Sequence, residues 1–181
     1  VDTLPGQEVD REGFLVAYRL GSPWTTVAED LRVALPVIGA VILAPLSATA
    51  LRSGRGLTVA RVGTLVLAAP VAARALRTVL DRPWLGVYGM PENTYPSGHV
   101  ALTAAVAVGI VALLPRSVPR LPALTAAAGV TLAAAAAAVV SRAHRPADAV
   151  GALLLVAALG AASHCAAVLA RALRRRQAPA G

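Results

Sequence analysis

Two of the three histidines in this 181-residue chain, His99 and His144, lie in short polar segments between long apolar runs. Residues 74–99 and 142–148 together hold Arg74, Arg77, Asp81, Arg82, Ser97, His99, Arg142, His144, Arg145 and Asp148. Ionisable groups at the edge of apolar runs are costly unless paired or functional. Arginines beside histidines and a few carboxylates suit binding of an anion and proton transfer to it.

Tyr95-Pro96-Ser97-Gly98-His99 reads as the start of a helix capped by Asn93 or Thr94, with Pro96 in the first turn. The amides of Ser97, Gly98 and His99 would then face outward with the positive end of the helix dipole behind them, a cradle for phosphate. Gly98 admits close approach of the anion, Ser97 adds a hydroxyl, and His99 can deliver a proton. The competing reading is a capped helix start with an incidental histidine. In His144-Arg145-Pro146-Ala147-Asp148, an i,i+4 spacing puts His144 and Asp148 on one helix face. A carboxylate on one ring nitrogen fixes the tautomer and raises the nucleophilicity of the other. The competing reading there is a surface ion pair in a turn. Arg82 offers a planar fork of donors to phosphate oxygens, while Arg74 and Arg77 either join it or snorkel to lipid headgroups.

The elements that must position these groups are membrane spans. The chain is 57% apolar and 14% charged, with a mean hydropathy of +0.67, too apolar for a soluble domain of this size. Residues 33–51, 93–115, 121–141 and 149–170 hold no Asp, Glu, Lys or Arg, and each is long enough to cross a hydrocarbon core of about 30 Å. A fifth run, 58–80, is interrupted by Arg61, Arg74 and Arg77 only near its ends. The expected fold is an all-α polytopic membrane bundle of five spans. Residues 1–32 form a segment outside it, 33–170 the membrane core and 171–181 a basic tail. Residues 13–30 are expected to make a short amphipathic helix and a turn at Gly21-Ser22-Pro23-Trp24.

Charge orients the bundle. Connections 52–57 and 115–120 and the tail hold arginine and no acid, whereas all nine acids fall at the opposite end of the spans. The positive-inside rule puts residues 1–32, 81–97 and 142–148 outside the cytoplasm and the C-terminus inside, in a multi-pass protein of the plasma membrane. The net charge of +8 is a topology signal, and without aromatics interleaved among the arginines it does not mark a nucleic-acid surface. His164, mid-span beside Cys165, is expected to pack as a neutral residue, and no set of ligands has metal-binding spacing.

The order Arg82-Pro83, then Pro96-Ser97-Gly98-His99, then His144-x-x-x-Asp148 resembles the type-2 phosphatidic acid phosphatase superfamily of membrane lipid phosphatases. The likeness covers roughly residues 74–150 and implies a six-helix core with one N-terminal helix missing here. It implies that His144 attacks phosphorus to form a phosphohistidine, that Asp148 supports His144, and that His99 protonates the leaving oxygen. Arg82, Ser97 and the Gly98 amide would hold the phosphoryl oxygens, with no metal and no cofactor.

Two positions depart from the family pattern. Its first motif opens with a lysine seven residues before the Arg-Pro arginine, where this chain has Ala75 flanked by Arg74 and Arg77; Arg77 is the expected substitute. Its last motif has Ser-Arg and five further residues before the histidine, which falls on Ala137 and Ala138, whereas Ser141-Arg142 stands two residues before His144. Either a shortened turn lets Arg142 reach the phosphate, or Arg145 or Arg142 approaches from a new direction. The expected activity is metal-independent hydrolysis of a lipid phosphate or polyprenyl (di)phosphate at the extracytoplasmic face, the tail held in an apolar groove between spans and membrane lipids around it. The alternative is a phosphatase-like protein that binds phospholipid without turnover.

Overall fold

Glycine and proline set most of the element boundaries. The computed structural model describes residues 3–80 and 93–177. Among these there are six helices: α1 (Leu4–Tyr18), α2 (Ser22–Arg52), α3 (Gly56–Val79), α4 (Gly98–Leu113), α5 (Arg120–Val140) and α6 (Pro146–Gln177). Gly21 and Gly54, with φ of 78° and 71°, turn the chain between α1 and α2 and between α2 and α3. The fold is the expected all-α polytopic bundle, with no strand among the described residues.

The expected layout needs one revision before the first span. The amphipathic helix is α1, which begins at Leu4 and not near residue 13, and Ser22 to Trp24 do not form a turn. They open α2, whose 31 residues run unbroken into the first apolar run. Pro23 is tolerated there because the amides of a helix's first turn need no intrahelical partner.

Four helices, α2, α3, α5 and α6, are long and apolar enough to cross a membrane. The span expected at 93–115 becomes α4, which has only 16 residues, or roughly 24 Å of rise. This short helix is the centre of the bundle, and α2, α3, α5 and α6 all pack on it. Its buried residues are small: Ala101, Ala104, Ala105, Ala107 and Gly109 lie beside Val100 and Val106. They meet Leu65, Ala69, Ala73, Ala138, Ala152 and Val156 from the surrounding helices. Large apolar side chains point outward instead, among them Val41, Leu67, Leu132 and Leu154. That inside-out distribution suits lipid, where close approach of small residues drives packing and apolar surface costs nothing.

The two ends of α4 are held differently. At its C-terminal end, Arg55 donates to the carbonyls of Ala112, Leu113 and Leu114, and Arg120 to those of Val111 and Leu114. Cations there satisfy orphan carbonyls and complement the dipole. Arginines that the charge pattern marks as topology signals thus also fasten the central helix. Its N-terminal end opens into the histidine cluster.

Candidate active site

The N-terminus of α4 and that of α6 meet at one residue, Asp148. Asp148 is fully buried, and its backbone carbonyl accepts from the Ser97 amide at 2.9 Å. Its Oδ2 accepts from the Arg145 amide at 3.0 Å and from the hydroxyl of Thr94. The first of these bonds is a helix-capping one: Pro146 is the first residue of α6, Asp148 the third, and the third-position carboxylate reaches back to the amide before the helix. One residue therefore joins residues 94–97 to the turn before α6.

His144 lies in that turn, not on α6, so it and Asp148 do not share a helix face. The turn nevertheless brings His144 Nδ1 to 3.4 Å from Asp148 Oδ2, with both side chains almost wholly buried. The contact is long and not aligned as a hydrogen bond, leaving Nδ1 without a hydrogen-bond partner. Such pairs often tighten only when a ligand fills the site.

The other histidine sits at the second position of α4. Its cap differs from the expected one: Ser97 is the N-cap residue, its Oγ accepting from the Val100 amide at 3.5 Å. Pro96 therefore precedes the helix. Asn93 instead donates from Nδ2 to the carbonyls of Arg77 and Leu80, and Thr94 is taken by Asp148. Since the Ser97 amide is also taken by Asp148, the outward amides are those of Gly98 and His99, the first two of the helix. Tyr95 packs on α6 where its ring fills the space a Cβ at Gly151 would need.

The arginines divide. Arg77 donates through Nε and Nη2 to the Pro96 carbonyl at 3.1 and 3.0 Å, and its Nη2 lies 3.8 Å from where a Cβ on Gly98 would stand. Arg74 and Ala75 are exposed on α3, so the helix register presents Arg77 to the site. Arg142 turns the other way. It adopts φ 60° at the end of α5, places its guanidinium 4.0 Å from the ring centroid of Tyr18, and donates to the Tyr18 carbonyl at 3.3 Å. Arg145 is buried in the turn. Arg82 lies outside the described residues, as do Asp81, Trp84 and Tyr88.

Two participants escape sequence reasoning. Arg32, on α2, brings Nη1 to 3.4 Å from His99 Nδ1. Arg32 contacts His99 while Arg77 approaches Gly98, so cations from α2 and α3 converge on the start of α4. Asp10, on α1, is buried and accepts from the Ala147 amide at 2.8 Å, bonding the first turn of α6 from another helix. Arg32 had a faint signal, a lone basic residue at the start of an uncharged run. Asp10 had none.

The family model described as the PAP2 superfamily matches residues 75–172, just over half of the chain. The chain belongs to the PAP2 superfamily. The match spans His99, His144, Asp148, Arg77, Arg82, Ser97, Gly98 and Arg142, whereas Arg74, Arg32 and Asp10 fall before it. No curated relative and no solved structure matches the chain. Membership supports a phosphatase, and the apolar helices support a membrane protein.

Proposed function

We propose that this PAP2 protein hydrolyses a lipid phosphate or polyprenyl (di)phosphate without metal, through a phosphohistidine on His144, at the extracytoplasmic face. The observation that carries the mechanism is the Asp148 hub, whose buried carboxylate stands 3.4 Å from His144 Nδ1 and whose backbone carbonyl accepts from the Ser97 amide at the start of the helix bearing His99. With Nδ1 turned toward Asp148, Nε2 of His144 is the free nucleophile. It attacks phosphorus as the ester P–O bond breaks, and the leaving oxygen takes a proton from His99. Water then attacks the phosphohistidine, gives a proton to His99 and releases phosphate. The Gly98 and His99 amides, Ser97, Arg77 and Arg82 bind the equatorial oxygens, with catalysis resting on positioning and charge stabilisation.

An apolar groove supports a lipid substrate. About 310 Å³ in volume, it runs between α2, α4 and α5 and is lined by Leu35, Ile42, Thr103, Val106, Ile110 and Val130 among others. Leu35 and Thr103 stand about one turn beyond Arg32 and His99, which places the groove mouth beside the cluster. The tail would lie there with the phosphate at the histidines, an arrangement open to phosphatidic acid, phosphatidylglycerol phosphate and polyprenyl diphosphate alike.

The test is phosphate release by the purified protein in detergent from a panel of these lipids. Release that resists EDTA, is blocked by orthovanadate and leaves acid-labile phosphate on His144 is expected; full activity in His144→Ala would overturn the mechanism. A second reading, lipid binding without turnover, draws on the engagement of Arg142 with Tyr18. It predicts lipid binding with no phosphate released from any substrate.

A further inference from the structure

We propose that Arg32 is an anion-binding residue of the PAP2 site, a guanidinium delivered by α2 to the phosphoryl oxygens. The proposal rests on the phosphatase reading only for the identity of the anion. Arg32 brings Nη1 to 3.4 Å from His99 Nδ1, and its Nε is buried with no hydrogen-bond partner. Among the described residues no carboxylate pairs with it. An arginine at the edge of an apolar run without a counter-ion is expensive, and an anion arriving between Arg32 and Arg77 would neutralise it. Arg32 also stands one turn before Leu35 at the groove mouth, between the space for a tail and the histidines. From α3 the site receives Arg77, two of whose donors are occupied by the Pro96 carbonyl. Arg32 supplies the further cation that Ala75 cannot.

The contact with His99 also carries a proton consequence. A guanidinium has only donors, so its hydrogen bond requires Nδ1 of His99 to be an unprotonated acceptor, with the ring proton on Nε2. A histidine in that state is a poor acid. When Arg32 moves to a phosphoryl oxygen, Nδ1 is vacated and takes a proton from solvent. The resulting imidazolium gives its Nε2 proton to the leaving oxygen as the P–O bond breaks and the P–N bond to His144 forms. Arg32 thereby links arrival of the anion to the arming of His99.

The experiment titrates the full chain in detergent with orthovanadate by calorimetry, for wild type and Arg32→Gln, alongside phosphate release. Arg32→Gln is expected to weaken vanadate binding about 10–100-fold and to raise KM, with its melting temperature in detergent unchanged. Arg32→Lys, which keeps the charge but not the fork, is expected to recover part of the affinity. In wild type, phenylglyoxal labelling of Arg32, mapped by mass spectrometry, should be suppressed by vanadate, a readout that holds even if Arg32→Gln does not fold. Unchanged vanadate affinity and KM in Arg32→Gln, or labelling of Arg32 indifferent to vanadate, overturns the proposal while phosphate release by wild type keeps the phosphatase reading. Vanadate binding that depends on Arg32, in a protein releasing no phosphate from any lipid, does the reverse. A wild-type protein that neither binds vanadate nor releases phosphate overturns both.

Discussion

His144 and Asp148 differ in what they are asked to do, and substitution separates the roles. His144→Ala removes the proposed nucleophile and should lower phosphate release about 10³-fold or more. Asp148→Asn keeps the shape and an acceptor oxygen for the Arg145 amide but removes the charge that orients His144. A fall of about 10²–10⁴-fold in kcat, with the protein still folded, is expected from it. Retention of wild-type kcat in Asp148→Asn would reduce Asp148 to a helix cap. Arg142 poses the sharpest question at this scale, since it holds a left-handed conformation usually left to glycine and stacks on Tyr18. Arg142→Gly relieves the backbone and loses the stacking, so stability should change by less than about 1 kcal/mol. If Arg142 serves α1 alone, activity stays within about threefold; a loss of about 10²–10³-fold would make it a phosphate clamp that swings inward with substrate.

At the scale of elements, α1 acts as a brace. Asp10 bonds the Ala147 amide, Tyr18 receives Arg142, and Pro146 packs where a side chain on Gly13 would stand. All three contacts fall on the turn that carries His144 or on the first turn of α6 that follows it. Asp10→Ala removes an acceptor at a helix start, a loss of about 1 kcal/mol in comparable caps. It is expected to lower kcat several-fold while leaving vanadate affinity little changed, because it loosens His144 and not the anion cradle. Asp10→Asn, which retains a side-chain carbonyl, should restore most of kcat. Equal activity of Asp10→Ala and wild type would show that α1 merely covers the turn.

Across the whole molecule, the short central helix explains where the site can be. At 16 residues α4 does not match its long neighbours, and residues 93–97 gather with the turn before α6 around its N-terminus. Polar groups are thus gathered among helices and away from lipid, the arrangement a membrane tolerates. By the positive-inside rule, the proposed orientation puts this end outside the cytoplasm. In a Cys165→Ala background, Ser22→Cys should react with a membrane-impermeant maleimide in intact cells, and Ser53→Cys only after lysis. The opposite labelling would place the histidines on the cytoplasmic side.

The sequence by itself determined the class of fold and the family to which the chain belongs. Uncharged runs of membrane-spanning length leave a chain little choice but helices, since lipid satisfies no backbone group. Local motifs carried both histidines and Asp148, because their chemistry depends on near neighbours in the chain. What happens between elements was not legible. The bond from the Ser97 amide to Asp148 and the reach of Arg142 to Tyr18 each join residues far apart in the chain, and the left-handed backbone of Arg142 falls between α5 and His144. Arg32 and Asp10 enter the cluster only through the rotation of α2 about its axis and the docking of α1. Tertiary packing decided those, because a helix's face toward its neighbour is set by which small residues let the backbones close.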